Sequence, residues 1–240
     1  MHRSFTGKPL RIGRGCQFYG KVNLGRNTIL GDHIVIGYPK EARVQLIQQR
    51  GNLDESQIQS AFSDVTPTTI GSECRIASQV VIYEGTSVGD GVSMDDRSRI
   101  GFDCSIGNNT QIQYAAQICD RIMIGANCVI SGFICDGSTI ADHAIVFGTL
   151  VHEFTQPETA WGIVEAPPII HEHAVVGFNA IVVGGVSVGQ NSYVAAGAIV
   201  TRDVPPKCVA VGTNKFIPWN EWKGRKLSKA FWDRKNSEDE

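Results

Sequence analysis

Apolar residues recur along this chain at intervals of six. From Ile70 the interval holds through eleven consecutive positions to Ile130, and shorter runs precede and follow this stretch. An α-helix repeats its apolar face about every 3.6 residues and a β-strand every second residue, so neither element alone explains the pattern. Such a period predicts a repeat architecture in which each unit buries one aliphatic side chain. The apolar positions are Ile12, Phe18, Leu24, Leu30, Ile36, Ile70, Ile76, Ile82, Val88, Met94, Ile100, Ile106, Ile112, Ile118, Ile124, Ile130, Ile140, Val146, Ile170, Val176, Val182, Val188, Val194 and Val200.

The other positions of the six-residue unit support this interpretation. The residue four places after the aliphatic one is mostly small, and it includes Cys16, Cys74, Cys104 and Cys128, for which we expect a packing role. The residue three places after it is mostly Gly, Asn, Asp or His, which tolerate a left-handed backbone or bond their own backbone. Each unit is therefore predicted to be a short strand and a corner. Stacked corners would give a prism of parallel sheets with strands about 4.8 Å apart.

Individual units carry a specific resemblance. The units 70–75 and 188–193 each begin with an aliphatic residue, then a glycine, and place a small residue four positions after the aliphatic one. In this they resemble the hexapeptide-repeat acyltransferases, over about residues 10–37 and 70–205. The resemblance implies an all-β fold, a left-handed parallel β-helix with three units per coil, and assembly as a homotrimer. About twenty-four units would make roughly eight coils.

The period is interrupted twice, which predicts two projecting loops on a β-helix domain of residues 1–205. The first loop, residues 38–69, is polar, and Asp54 is placed to cap a short helix that runs to Phe62. We expect this loop either to contact the acceptor or a neighbouring subunit, or to be a solvated insertion. The second loop spans residues 153–168. Residues 206–240 leave the period and are predicted to cover the last coil as a short C-terminal helix with Trp222, Leu227 and Phe231 on one face.

A histidine stands at the second interruption. The next aliphatic position after Val146 would be residue 152, which is His152. In sugar and antibiotic O-acetyltransferases of the family, a catalytic histidine precedes a loop that a proline closes, as Pro168 closes this one, so the resemblance implies a catalytic His152. Acyl transfer from a thioester requires a base with a pKa near neutrality, which a histidine supplies. Glu153 could orient this histidine; the structural alternative is a hydrogen-bonded corner residue.

The stretch 194–206 resembles the coenzyme A end of the same family. The resemblance implies main-chain contacts at Ala196 and Thr201, and a phosphate or adenine contact from Arg202. It also implies that the amide of Phe178 contacts the acyl-thioester region. The alternative for Arg202 is an exposed surface charge without a ligand.

Composition and charge remove several classes of function. The 22 Lys and Arg residues against 24 Asp and Glu residues leave a net charge of −2, without the basic excess of a nucleic-acid binder. No apolar run reaches the roughly 18 residues of a membrane span, and no apolar signal segment opens the chain, so we expect no membrane partner. An odd number of cysteines argues against a disulfide framework, so we expect reduced thiols and a cytoplasmic protein. The 7 cysteines contain no CxxC pair, and the histidine spacing does not fit the zinc ligands of γ-carbonic anhydrases, which share the prism. We therefore expect no metal.

Together these features predict an acyltransferase that takes acetyl-CoA or another acyl-CoA as co-substrate. The N-terminal helical and nucleotidyl-transfer domains of some relatives are not seen in the sequence, which leaves the sugar and small-molecule group. We expect an amino sugar or a nucleotide-linked amino sugar as the acceptor. An O-acetyltransferase of a sugar or antibiotic hydroxyl remains an alternative, as does a non-catalytic β-helix scaffold.

Overall fold

The chain is a parallel β-helix. A computed structural model describes residues 8–63, 65–153, 166–221 and 223. Within these residues the strands form sheets A, B and C, of eleven, nine and eight strands, which the chain visits in turn. The solenoid has about 10 turns and is consistent with the left-handed form, so the predicted fold class is confirmed.

Nearly every strand pairs in parallel with the strands one coil before and after it; only the last pair, at the end of sheet A, is antiparallel among the described strands. Sheet A consists of β1 (Arg11–Ile12), β4 (Ile29–Leu30), β7 (Arg75–Ile76), β10 (Ser93–Met94), β13 (Gln111–Ile112), β16 (Val129–Ile130), β19 (Ile145–Val146), β22 (Val175–Val176), β25 (Tyr193–Val194), β27 (Cys208–Val211) and β28 (Lys215–Pro218). Sheet B consists of β2 (Gln17–Phe18), β5 (Val35–Tyr38), β8 (Val81–Tyr83), β11 (Arg99–Ile100), β14 (Gln117–Ile118), β17 (Phe133–Ile134), β20 (Thr149–Leu150), β23 (Ile181–Val182) and β26 (Ile199–Val200). Sheet C consists of β3 (Val22–Leu24), β6 (Thr68–Ile70), β9 (Ser87–Val88), β12 (Ser105–Ile106), β15 (Met123–Ile124), β18 (Thr139–Ile140), β21 (Ile169–Ile170) and β24 (Ser187–Val188).

The corners between sheets stack into three edges. We call them the A/B edge (for example residues 177–180), the B/C edge (183–186) and the C/A edge (189–192). Many corners contain a residue with positive φ, and His33, His143 and His173 are among them, at φ of 57°, 61° and 57°. These three histidines therefore occupy the corner positions that the sequence predicts for them.

The core is a column of aliphatic side chains along the axis of the β-helix. In most of the two-residue strands the second side chain is buried and the first is more exposed, as the alternation of a β-strand requires. Met94 and Ile112, for example, are paired in register and are both buried. The six-residue period thus corresponds to one inward side chain per strand.

At eight of the described strands the small residue that precedes the strand makes a specific hydrogen bond as well as packing. Thr86 Oγ1 donates to the carbonyl oxygen of Gly101 in the next coil at 2.7 Å, and Cys104 Sγ donates to that of Cys119 at 3.1 Å. Burial raises the pKa of the Cys104 thiol to about 12, so the thiol stays protonated and able to donate. The same bond recurs at Cys16, Thr28, Cys74, Thr110, Cys128 and Ser192. A hydrogen-bond donor of small volume explains why Ser, Thr and Cys fill this column.

Two corners on the A/B edge are shorter than the rest. Only Ser131 and Gly132 separate β16 from β17, and only Phe147 and Gly148 separate β19 from β20. A Cβ atom on Gly132, where φ is +76°, would lie 2.3 Å from the carbonyl oxygen of Gly148, so the two corners stack only because glycine has no side chain. The six-residue rule overlooks the strands that follow these corners. The predicted count of eight coils is therefore too low.

The first predicted loop contains two helices, α1 (Glu41–Arg50) and α2 (Glu55–Ser63). The predicted cap of the second is confirmed: Asp54 Oδ1 accepts the Gln57 amide at 2.9 Å, and Gln57 Oε1 accepts the Asp54 amide at 3.0 Å. This reciprocal pair is a capping box. The sequence analysis did not predict α1.

The end of the chain differs from the expectation. Sheet A continues past residue 205 through β27, which then forms an antiparallel hairpin with β28, and a short 3₁₀ turn follows at Trp219–Glu221. The first part of the tail is therefore strand, because Val209 and Ala210 still fit the buried pattern of the coil below. The predicted helix face of Trp222, Leu227 and Phe231 lies outside the described residues.

The hydroxyl and thiol ladder makes a prediction about stability. Thr86→Val keeps the volume but leaves the Gly101 carbonyl without this donor, so the free energy of unfolding should fall by about 1–3 kcal/mol. Thr86→Cys, which restores a small donor, should lose less. Urea denaturation measures both, and Thr139→Val, on the outer side of sheet C, serves as the control. Equal losses for all three variants would contradict the role of the ladder.

Candidate functional site

His152 lies on the B/C edge just after β20. The inward position of this coil is Leu150, which is buried and pairs with Val182, so the prediction that residue 152 occupies the inward column is wrong. The reason is the short Phe147–Gly148 corner, because of which the inward position comes two residues earlier, at 150 instead of 152. His152 is instead partly exposed, and both ring nitrogens are shielded from solvent.

Both ends of the second loop rest on a pair of glycines beside His152. A Cβ atom on Gly184 would lie 2.5 Å from the amide nitrogen of Glu153 and 2.6 Å from the carbonyl oxygen of Ala166. The Gly185 amide, in a residue with φ of +72°, donates to that same Ala166 carbonyl at 2.7 Å. The departure and return of the loop are thus held close together at His152. The loop residues 154–165 are outside the described part of the chain.

Thr201 and Arg202 lie on the same edge as His152, two coils further along the axis. The intervening coil contributes the glycine pair, because Val151 N donates to Val182 O and Val183 N donates to Val200 O. Two strand spacings place His152 and Arg202 about 10 Å apart along the axis. Three of the five predicted site residues therefore share one edge.

Phe178 and Ala196 lie on the A/B edge, one coil apart. The carbonyl oxygen of Phe178 accepts the Gly197 amide at 3.0 Å, which fixes the two corners relative to each other. The Phe178 ring is 61% exposed and stacks on Phe147 with ring centroids 4.5 Å apart and an interplanar angle of 6°. The sequence analysis did not identify Phe147, whose place beside Phe178 depends on the short corner.

Within one chain the predicted site residues thus lie in two groups, one at each end of the strands of sheet B. The outer face of this sheet lies between the two groups and is mainly apolar here, with Ile181 partly exposed and Ile199 40% exposed. The B/C edge has an imidazole and a guanidinium group, and the A/B edge has exposed aromatic and small residues. The first group suits proton transfer and anion binding, and the second suits an apolar or main-chain contact.

The two predicted loops leave the β-helix from the same edge. The chain passes from sheet B to sheet C both between β5 and β6 and between β20 and β21. Since five coil steps separate β5 from β20 along sheet B, the two points of departure lie about 24 Å apart. Both loops therefore leave the β-helix at the B/C edge.

A buried carboxylate fastens the first loop at both of its ends. Glu84 is fully buried and accepts hydrogen bonds from the Lys40 amide at 2.9 Å and the Thr66 amide at 2.6 Å. Arg43, in α1, forms an ion pair with it at 3.4 Å. Burial alone would raise the pKa of Glu84, but these amides and the guanidinium outweigh it and hold the pKa below its ordinary value. The charged carboxylate thus stabilises the loop in the position described.

Three of the other histidines, His143, His171 and His173, lie on the C/A edge, whereas His33 lies on the A/B edge. His143 and His173 stack with ring centroids 4.8 Å apart, and His171 Nε2 lies 2.7 Å from Ser187 Oγ. The first contact joins neighbouring corners, and the second joins a corner to strand β24. In the described part of the chain, no group of three or more His, Cys, Asp and Glu side chains is arranged to hold a metal ion.

Comparisons with known proteins agree with the repeat. The family model described as the hexapeptide repeat of succinyl-transferase matches residues 67–94 and 167–202. Among curated proteins, the bifunctional protein GlmU of Carboxydothermus hydrogenoformans is 29% identical over 200 residues, which cover 68% of this chain and 45% of that protein. The GlmU of Brevibacillus brevis is 29% identical over 162 residues, covering 62% and 35%. The chain therefore spans less than half the length of these relatives.

Among solved structures, one that this chain matches is the UDP-N-acetylglucosamine acyltransferase from Campylobacter jejuni. It is 14% identical, has a TM-score of 0.48, and the match covers 85% of this chain and 72% of that one.

In the residues that the structure describes, none of the helices has the length and apolar character needed to cross a membrane.

The Glu84 anchor predicts a pH-dependent contribution to stability. Because the folded-state pKa is lowered, the ionised carboxylate stabilises the fold above the unfolded pKa of about 4.3, and this contribution is lost as the pH falls through the folded pKa. Glu84→Gln should therefore destabilise the protein at pH 7 by about 1–3 kcal/mol and progressively less below about pH 4. Denaturation of the wild type and of Glu84→Gln at pH 7 and below about pH 4 measures this loss of stability. At pH 7 the variant should also be cleaved faster than the wild type within residues 41–63. The exposed Glu73→Gln is the control; a difference that does not change with pH would contradict the prediction.

Proposed function

We propose that this chain, a parallel β-helix with a hexapeptide repeat, is an acyltransferase. The donor is an acyl-CoA, with acetyl-CoA as the first candidate, and the acceptor is an amino sugar or a nucleotide-linked amino sugar. The observation that carries the proposal is the position of His152, beside the closed base of a projecting loop and on the same edge as Arg202.

His152 acts as the general base in this proposal. The acceptor nitrogen or oxygen forms a bond to the thioester carbonyl carbon, and the imidazole takes the proton that the acceptor loses. The negative charge on the carbonyl oxygen is stabilised by a main-chain amide, for which Phe178 is the candidate. Collapse of the tetrahedral intermediate breaks the C–S bond, and the proton passes to the departing thiolate. Glu153 is a candidate to orient the imidazole.

The donor binds along the last coils. Coenzyme A is a long flexible thiol ester with phosphates at its far end, so it needs main-chain contacts along the arm and a cation at the end. Ala196 and Thr201 supply the main-chain contacts, and Arg202 supplies the cation for a phosphate or adenine group. No metal takes part in this scheme.

The division of the site between two edges supports a homotrimer. A cyclic trimer has heterologous interfaces, in which two different surfaces of the chain meet. The A/B edge of one subunit, with Phe178 and Ala196, would then face the B/C edge of the next, with His152 and Arg202. The exposed apolar side chains Tyr114, Phe133, Phe178 and Ile199 lie on the A/B edge and on sheet B, where such an interface would cover them.

His152 also bears on the alternative acceptor, a sugar or antibiotic hydroxyl. A hydroxyl has a pKa far above neutrality and needs a base, whereas an amine can bind already neutral. The size of the loss on removing His152 therefore discriminates between O-acylation and N-acylation. If the chain were a non-catalytic scaffold, coenzyme A would not bind at all.

The central prediction concerns His152→Ala. The value of kcat, measured as thiol release from acetyl-CoA over a panel of amino sugars and sugar nucleotides, should fall by about 10²–10⁴-fold, while the Kd of coenzyme A stays nearly unchanged. His171→Ala, an exposed histidine of the C/A edge, is the matched control and should retain activity. A loss below about tenfold would remove His152 as the base and favour an amine acceptor.

A subunit-mixing experiment tests the shared site. Light scattering should give three times the 26.1 kDa chain mass. His152→Ala on the B/C edge and Ala196→Trp on the A/B edge should each inactivate their own homotrimer, and trimers reassembled from both should regain activity, because some interfaces join two intact edges. A single-chain mass, or no recovery on mixing, would refute a site formed between subunits.

A further inference from the structure

The turn of the C-terminal hairpin docks onto the coil that contains Thr201 and Arg202. The Ile199 amide donates to the carbonyl oxygen of Gly212 at 2.8 Å, and the Asn214 amide donates to the carbonyl oxygen of Ile199 at 3.1 Å. Thr213 also forms a parallel bridge with Ile199. The turn thus adds one more rung above β26, although the six-residue period has ended.

Asn214 is the residue of this turn that contacts Thr201 and Arg202, two of the residues predicted to bind coenzyme A. Its Oδ1 accepts the Thr201 amide at 2.9 Å, and its Nδ2 donates to Thr201 Oγ1 at 2.8 Å. Its carbonyl oxygen accepts a hydrogen bond from Arg202 Nη2 at 2.9 Å. The φ of Asn214 is 53°, a left-handed conformation that Asn adopts more readily than most residues.

These contacts restrain a side chain that would otherwise be flexible. The Arg202 guanidinium is held by the Asn214 carbonyl on one side and lies over the Phe216 ring, 5.2 Å from its centroid. A guanidinium carries several N–H donors, so one bond to a carbonyl leaves others for a phosphate. Fixing the side chain before the ligand arrives removes part of the ordering cost of binding.

We propose that Asn214 is a positioning residue for acyl-CoA, which presents Arg202 and Thr201 in the geometry that binds the nucleotide end. The Thr201 amide hydrogen is used by Asn214, so the main-chain group that Thr201 offers is its carbonyl oxygen, an acceptor suited to the amino group of adenine. Arg202 then serves the phosphates. This inference rests on the proposed function, since it concerns the donor side of the same site.

Asn214→Gly is the informative variant, because glycine keeps the left-handed backbone while removing the amide side chain. The two side-chain bonds to Thr201 fix the turn, so their loss also frees the Asn214 carbonyl that holds Arg202. It should raise the Kd of coenzyme A and the KM of acetyl-CoA by about three- to tenfold. The KM of the acceptor and kcat should stay within about twofold, a split that a loss of folding alone would not produce. Asn127→Gly, the same change at an exposed corner with φ of 57°, is the matched control and should alter none of these values.

A double-mutant cycle tests whether Asn214 acts through its two partners. Arg202→Ala alone should weaken coenzyme A binding by about 5- to 150-fold, and adding Asn214→Gly should then cost clearly less than it does in the wild-type background. Thr201→Val, which leaves the hairpin backbone untouched, should weaken binding by itself and reduce the effect of Asn214→Gly in the same way.

The outcomes separate this inference from the proposed function. If Arg202→Ala weakens coenzyme A binding but Asn214→Gly does not, or if the two losses are fully additive, Asn214 is not a positioning residue and the proposed donor site stands. If Arg202→Ala leaves coenzyme A binding unchanged, the proposed donor site itself is wrong, and with it the role of Asn214.

Discussion

The main-chain hydrogen bond from each strand to the strand one coil away is the constraint on which this structure depends. It requires every coil to return to the same register, so that Met94 lies over Ile112 and Ile112 over Ile130. A corner can then gain residues that lie outside the β-helix, but the strands on either side of it must keep this register. This explains why the chain tolerates a helical insertion after β5 while the coil above it remains in register, with Ile36 paired to Ile82.

The corners are built from side chains that satisfy the backbone at the points where the ladder turns. The Thr86 hydroxyl and the Cys104 thiol each donate a hydrogen bond to a carbonyl of the following coil. Residues with positive φ turn the chain from one sheet to the next. Buried main-chain groups need such partners, since an unsatisfied one is costly. The polar columns of the repeat are therefore as much a part of its stability as the aliphatic column.

The residues of the proposed site lie where the ladder is interrupted. A regular prism has flat faces and uniform edges, so a pocket must come from loops or from a second subunit. Both loops leave from the B/C edge, where His152 and Arg202 lie, and the complementary residues Phe178 and Ala196 lie on the A/B edge. The hairpin that ends the described chain adds Asn214 beside Arg202, so the end of the solenoid also shapes the proposed donor site.

The sequence alone determined the repeat, the parallel β-helix and the cap at Asp54, because each depends on the local period or on residues a few positions apart. The tertiary structure decided what depends on the stacking of distant coils. The short Phe147–Gly148 corner places Leu150, and not His152, at the inward position. This corner packs directly on the short Gly132 corner, a contact that only glycine permits. The strand at 208–211, the enclosure of Glu84 by residues from both ends of a loop, and the bonds from Asn214 to Thr201 and Arg202 likewise join positions with no common pattern in the chain. A period records what each coil has in common, whereas these contacts arise from how particular coils differ.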